Sequence, residues 1–247
     1  MILRVEKVTK HFGGLRALAD VSFNSAEGEI LGIIGPNGAG KTTLFNIINC
    51  IYAPDAGQVT FRGANITGQP CHLVARLGLA RTHQVVRPLG DLTVRENILA
   101  GACFGRERHS RKSAGSVADH ALELAELTSR ADQLAGTLNL PQKKRLELAR
   151  AIAARPYLLL LDEVLAGLNP TEISRMLEII RRVREGGVTI LMIEHVMQAV
   201  MNISDRVLVL DYGLVIAEGS PREVVEHPQV IAAYLGDPKV AAQLLEA

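Results

Sequence analysis

The sequence has 247 residues, long enough for one large α/β domain or for a core that carries a smaller insertion. It holds 27 Lys and Arg against 26 Asp and Glu, and this formal net charge of +1 gives no electrostatic reason to expect nucleic acid as the main partner. No stretch reaches the ~18 apolar residues needed to span a bilayer, so work at a membrane would require other chains to hold this one there.

The opening run Met1-Ile2-Leu3-Arg4-Val5-Glu6 alternates like a strand and lacks the long apolar stretch of a cleavable leader. Residues 1–30 read as short strands broken at His11-Phe12-Gly13-Gly14 and at Glu27-Gly28. Ile30-Leu31-Gly32-Ile33-Ile34 then reads as a buried strand, and Thr43-Leu44-Phe45-Asn46-Ile47-Ile48 as a helix. Between them stands Gly35-Pro36-Asn37-Gly38-Ala39-Gly40-Lys41-Thr42, with the spacing of a phosphate-binding loop. Glycines let the backbone of residues 35–43 curl until successive N–H groups converge on phosphate oxygens, and the helix that follows points its positive end at the same anion. Lys41 can reach the β- and γ-phosphates and the Thr42 hydroxyl can ligate Mg²⁺. The strand–loop–helix context turns the pattern into a nucleoside triphosphate site rather than a glycine-rich turn with an incidental lysine.

A second strand pair is expected near residues 58–62, after the turn Pro54-Asp55-Ala56-Gly57, and a helix over residues 71–80, ending near Gly78. The composition changes over residues 91–154. A helix starts at Val94-Arg95-Glu96-Asn97, residues 105–116 are polar and expected to form a mobile loop, and helices follow at 118–127 and 142–154. In the last of these Leu146, Ala149, Ile152 and Ala153 share one face, while Lys143, Lys144, Glu147 and Arg150 sit opposite. Strand character returns at residues 157–161, 188–193 and 206–210, with helices at 171–185 and 196–203 between them. This alternation predicts an α/β fold with a largely parallel sheet covered on both faces. Cys50, Cys71 and Cys103 have no metal-ligand spacing and read as buried, reduced thiols.

Leu158-Leu159-Leu160-Leu161-Asp162-Glu163 is the second strong signal. A buried parallel strand ends there in two carboxylates, and such strand ends gather ligands in open α/β sheets. Asp162 suits Mg²⁺, and Glu163 is placed to polarise a water for attack on the γ-phosphate.

The ordered set of phosphate loop, Gln84, helical insertion, Asp162-Glu163 and His195 resembles the ATP-binding subunits of ABC transporters over essentially the whole chain. The resemblance implies a P-loop NTPase (RecA-like) core over residues 1–90 and 155–247, with an N-terminal antiparallel β subdomain, and an inserted α-helical subdomain over residues 91–154. It implies ATP and Mg²⁺ as cofactors. Phe12 would stack on adenine, Gln84 would touch Mg²⁺ and the attacking water, and His195 would contact the γ-phosphate. Asn169 replaces the aspartate common in the segment that meets the partner subunit, and Val164 replaces a proline. The family's signature segment Leu-Ser-Gly-Gly-Gln should lie at residues 138–142, where this chain has Leu138-Asn139-Leu140-Pro141-Gln142. In the family that segment presents a hydroxyl and backbone N–H groups to ATP held by the opposite subunit. Here Asn139 and Gln142 are its remaining polar members, and Pro141 has no N–H to give.

Gly167-Leu168-Asn169-Pro170-Thr171-Glu172, Ile193-Glu194-His195, Ile203-Ser204-Asp205-Arg206 and Ala233-Tyr234-Leu235-Gly236-Asp237 resemble, more narrowly, the ATPases of branched-chain (hydrophobic) amino acid importers. The implied partners are membrane permeases, a second ATPase subunit of the same or different sequence, and, indirectly, an extracytoplasmic solute-binding protein. The implied place is the cytoplasmic face of the plasma (inner) membrane, as a peripheral subunit. Competing readings are a soluble ABC-type ATPase and a weakly hydrolysing regulatory partner in a heterodimer. The first usually has two nucleotide domains or a long coiled coil, which this chain lacks. A GTPase or a small-molecule kinase would leave the Gln84–His195 order unexplained.

Overall fold

The computed structural model describes residues 1–110 and 113–235. In chain order its early elements are β1 (Leu3–Phe12), β2 (Leu15–Ser25), β3 (Ile30–Ile34), α1 (Lys41–Ile48), β4 (Ala56–Phe61), β5 (Ala64–Asn65), α2 (Cys71–Arg76) and β6 (Leu79–Arg81). Then come α3 (Val94–Phe104), α4 (Ala114–Leu124), α5 (Leu140–Ala153), β7 (Leu158–Asp162), α6 (Pro170–Glu185), β8 (Thr189–Ile193) and α7 (Met197–Ile203). The order closes with β9 (Arg206–Asp211), β10 (Leu214–Gly219) and α8 (Pro221–Glu226). Arg111 and Lys112 of the expected polar loop, and Gly236-Asp237 of the last importer-like segment, lie outside the described residues.

The chain divides into two compact units: Met1–Cys71 together with the segment from Thr189 onward, and His72–Val188. In the first unit, alternation builds an antiparallel sheet of order β2-β1-β4-β5. Leu3, Val5, Leu18, Val21 and Phe23 point to its buried side while Arg4, Asp20 and Asn24 face water. Lys7, at φ 51°, sits where the register shifts between Val5 and Val8, and this bulge returns Val8 to the buried face. The same unit holds β3, buried at every position, which pairs in parallel with β8 on one side and β9 on the other. Strand β10, which the pattern reading passes over, adds to β9 in antiparallel fashion.

The second unit pairs β6 with β7 in parallel. Its helices bury their own apolar cluster, among them Val94, Ile98, Val117, Leu122, Leu127 and Leu146. The helix expected over residues 71–80 stops at Arg76, because Gly78 takes a left-handed φ of 100° and the chain enters β6 at once. Helix α4 begins at Ala114, earlier than expected, and ends where Glu126 turns left-handed at φ 56°. The expectation of buried thiols is corrected: all three are free, but Cys71 is exposed and Cys50 and Cys103 are half-buried. Among the described residues no helix is long and apolar enough to cross a membrane.

Candidate functional site

The loop that joins β3 to α1 owes its shape to contacts only glycine permits. Gly35 has φ 145°, and a Cβ there would lie 1.9 Å from the Leu210 carbonyl oxygen. Gly40 caps α1 in the left-handed region at φ 102°, where a Cβ would meet the Ala17 carbonyl oxygen at 2.5 Å. The Lys41 side chain, 6% exposed, donates from Nζ to the Gly35 and Pro36 carbonyl oxygens at 2.7 and 2.9 Å. Its ammonium thus lies across the loop, held by the main chain of the residues it would share a phosphate with. Asn37, Gly38 and Thr42 are exposed, Gly40 and Thr43 half-exposed, and Ala39 is buried and ties its carbonyl oxygen to the Gly213 N–H at 3.0 Å. A run of backbone amides at a helix start, one buried ammonium and one open hydroxyl make a site for a polyphosphate.

The first unit also holds Phe12 and His195. Phe12 is 43% exposed, edge-on to Tyr52 with ring centres 5.4 Å apart, and the Lys10 ammonium lies 5.7 Å from its ring centre. It is an open aromatic surface rather than a core residue. His195 is exposed just past the end of β8.

In the second unit β7 delivers its two carboxylates to different environments. Asp162 is 2% exposed; its Oδ2 accepts from Arg81 Nη2 at 2.7 Å, while its Oδ1 is buried without a hydrogen-bond partner among the described residues. Glu163 is half-buried and left-handed at φ 51°, a strained backbone for a residue with a side chain. Its Oε2 accepts from Gln84 Nε2 at 2.7 Å, so two residues 79 apart in sequence meet at their functional groups. Asn139 and Gln142 also meet, but as a capping box at the start of α5: the Asn139 side chain accepts from the Gln142 N–H at 3.1 Å, and Gln142 Oε1 accepts from the Asn139 N–H at 3.2 Å.

In the second unit, the orphaned buried carboxylate oxygen of Asp162 and the Oε1 of Gln84, whose amide nitrogen is engaged, are hard oxygen donors of the kind Mg²⁺ takes; in the first unit, the exposed Thr42 hydroxyl is a donor of the same kind.

Pattern reading missed two residues here. Lys144 and Glu147, on the face of α5 opposite its apolar residues, are each 5% exposed. Lys144 Nζ donates to the Glu163 carbonyl oxygen at 2.8 Å, and Glu147 Oε1 accepts from the His83 N–H at 2.9 Å. Burial pushes the Glu147 carboxyl up, against the His83 N–H, Arg150 and Lys144, which pull it down. No helical periodicity could have found them, because their partners lie on other elements.

Comparison with known proteins agrees with this chemistry. Residues 18–166 match the ABC transporter family, and residues 215–240 match the family of the branched-chain amino acid ATP-binding cassette transporter. The chain is 41% identical to the high-affinity branched-chain amino acid transport ATP-binding protein BraF of Pseudomonas aeruginosa, over 96% of this chain and 98% of that protein. It is 38% identical to LivG of Escherichia coli strain K12, a protein of the same description, over the same shares. Among solved structures it resembles the ADP conformation of MJ1267, an ATP-binding cassette of an ABC transporter, with a TM-score of 0.87 at 32% identity over 96% of this chain and 99% of that one. It also resembles the ATP-binding cassette MJ0796, dimeric in a post-hydrolysis state bound to ADP and Pi, with a TM-score of 0.79 at 26% identity over 89% of this chain and 99% of that one. A phosphate loop closed by its own lysine, a strand that ends in two carboxylates and a family match over most of the sequence lead to one conclusion: the chain belongs to the ABC transporter family, as one of its ATP-binding, ATP-hydrolysing subunits.

Proposed function

We propose that this subunit energises uptake of branched-chain or other amino acids, or of a related amide or organic acid, through membrane permeases. Support for the solute class comes from the match over residues 215–240 and from relatives described as branched-chain amino acid transport proteins. The ATPase does not itself recognise the solute, so deletion of its gene and measurement of labelled leucine uptake by intact cells is the test; unchanged uptake of leucine, isoleucine and valine would overturn the branched-chain part of the reading. In the proposal the chain sits peripherally on the cytoplasmic face of the plasma (inner) membrane. It pairs with a second ATPase, identical or not, and an extracytoplasmic binding protein supplies the permeases. Residues 1–90 and 155–247 form the nucleotide-binding core and residues 91–154 the helical subdomain.

The chemistry divides among named groups. Phe12 stacks on the adenine; Gly35, Asn37, Gly38, Ala39, Gly40 and Thr43 line the phosphates with main-chain amides; Lys41 gives up its carbonyl partners for the β- and γ-phosphates. Thr42, Gln84 and Asp162 would hold Mg²⁺, which when bound neutralises charge on the phosphates. Glu163 takes the proton of a water as that water bonds to the γ-phosphorus; the bond to the bridging oxygen breaks, and ADP and phosphate leave. Gln84 orients the water and His195 contacts the γ-phosphate. The single observation that carries the hydrolytic reading is the Gln84–Glu163 hydrogen bond, which joins the two groups a water would need on either side of its proton. With Glu163→Gln the chain should bind ATP as the wild type does and lose about two to four orders of magnitude in hydrolysis, the usual contribution of a general base. Hydrolysis at the wild-type rate would sink the assignment.

Asn139 and Gln142 stand in this proposal as the polar remnant offered to the opposite subunit's ATP. Their capping box favours a second reading of that one site, in which this chain helps its partner's ATP turn over less than a full signature segment would.

A further inference from the structure

We infer that Lys144 and Glu147, two buried charges on α5, are positioning residues that set the geometry of the Glu163–Gln84 pair. The inference rests on the reading of Glu163 as the group that readies the attacking water. Both side chains are 5% exposed, and each bonds the main chain at or next to the hydrolytic pair, Glu147 with Arg150 Nη2 also 3.9 Å from its Oε1. Lys144 Nζ holds the carbonyl oxygen of Glu163 itself, at 2.8 Å. Glu147 Oε1 holds the N–H of His83, the residue before Gln84, at 2.9 Å. Between the two grips runs the Gln84 Nε2 to Glu163 Oε2 bond at 2.7 Å.

The physical consequence follows from the backbone. Glu163 stands at φ 51°, a left-handed backbone that a residue with a side chain adopts only at a cost. A charge-assisted hydrogen bond to its own carbonyl helps hold it there, and it fixes where Cβ, and so the carboxylate, points. Lys144 and Glu147 are one helical turn apart on the same face of α5, so the helix acts as a ruler between the peptide at His83 and the peptide at Glu163. Buried charges of both signs are costly to keep where apolar side chains would pack, which makes a positional use for them more economical than a packing one. The same helix opens with the Asn139–Gln142 capping box, so displacement of its first turn would be transmitted to both grips through one rigid element.

The test is single-turnover hydrolysis by the full chain in excess over ATP, with nucleotide affinity read separately from a fluorescent ATP analogue. Lys144→Met should slow the maximal rate by about tenfold or more, the effect of a modest loss of transition-state alignment, with affinity changed less than about twofold. Lys144→Arg, which keeps a donor, should recover most of the rate. Lys144→Met and Gln84→Ala combined should be no slower than the slower single variant, because both act on one bond. A Lys144→Met rate within about twofold of wild type, or effects of Lys144→Met and Gln84→Ala that multiply independently, would overturn the inference. If Lys144→Met does not fold, Glu147→Leu against Glu147→Gln reads the other grip: the inference expects the leucine variant slow and the glutamine variant, which keeps the acceptor oxygen, near wild type. Glu163→Gln runs alongside. If that variant hydrolyses ATP normally, the reading of Glu163 fails; if it is dead while Lys144→Met is fast, only the positioning role fails.

Discussion

Glu147 is a carboxylate with almost no water around it, and burial raises its pKa by more than the His83 N–H, Arg150 and Lys144 lower it. Its folded pKa therefore lies above the unfolded value near 4.5. The sign follows. Below about pH 4.5 the group is protonated in both states and the protein bears no cost for it; as pH rises through the raised folded value, the buried carboxyl ionises and that advantage is lost. Glu147→Gln keeps an oxygen for the His83 N–H and removes the titration. We therefore expect the urea midpoint of the glutamine variant to gain on wild type as pH rises from about 4.5 towards 7, with the m-value unchanged. A difference between the two that stays flat over that range would mean Glu147 titrates alike folded and unfolded. Asp55 shows the opposite case. The Lys10 ammonium, followed by the His11 N–H, holds its exposed carboxyl down at about 2, so whatever it adds to stability is fully present above the unfolded value of 3.8 and is lost as pH falls from there through about 2.

At the scale of elements, the phosphate loop and β7 were legible because their signals are local. Glycines at fixed offsets, a continuous apolar run and a helix behind it specify strand–loop–helix without reference to the rest of the chain. Elements that depend on distant partners were not. Strand β6 has three residues, and what makes Leu79–Arg81 a strand is its parallel register with Leu158–Leu160. Helical spacing set Lys144 and Glu147 opposite the apolar face of α5 and left their burial unread, because the Glu163 carbonyl and the His83 N–H that satisfy them leave no trace in it. Helix starts lie between these cases. Asn169 precedes Pro170 and stands three before Glu172, the spacing of a capping box, and the Asn169 side chain accepts from the Glu172 N–H at 3.0 Å. That cap fixes the start of α6, whose Met176, Leu177, Ile179, Ile180 and Val183 are buried. Asn169→Ala should lower stability by about 0.5–2 kcal/mol, read as a shifted urea midpoint. If α6 were held by packing alone, the midpoint would not move.

For the molecule as a transporter subunit, the question is what α5 offers to a second ATPase. Ordinarily the first amides of a helix are free donors, and a helix start is for that reason an anion site. In α5 the supply is small. Pro141 has no N–H, and that of Gln142 is taken by Asn139. The N–H of Lys143 already bonds back to the Asn139 carbonyl at 2.9 Å, which leaves the N–H of Leu140, a residue 46% exposed. One hydrogen bond to a charged oxygen is worth about 1.5–3 kcal/mol, or roughly ten- to a hundredfold in rate if it forms only in the transition state. Replacing Leu140-Pro141 by Gly-Gly restores one donor and removes two side chains from its path, while each glycine weakens the helix by about 0.5–1 kcal/mol relative to alanine. The first effect acts on the rate of the assembled ATPase pair and the second on folding, so the two are separable. The Gly-Gly variant should hydrolyse ATP faster, by roughly tenfold or more, in a complex whose urea midpoint is somewhat lower. If ATP hydrolysis and ATP-driven dimerisation both stay at wild-type levels, then the altered segment costs the partner's site nothing, and α5 serves that site through some group other than its opening amides.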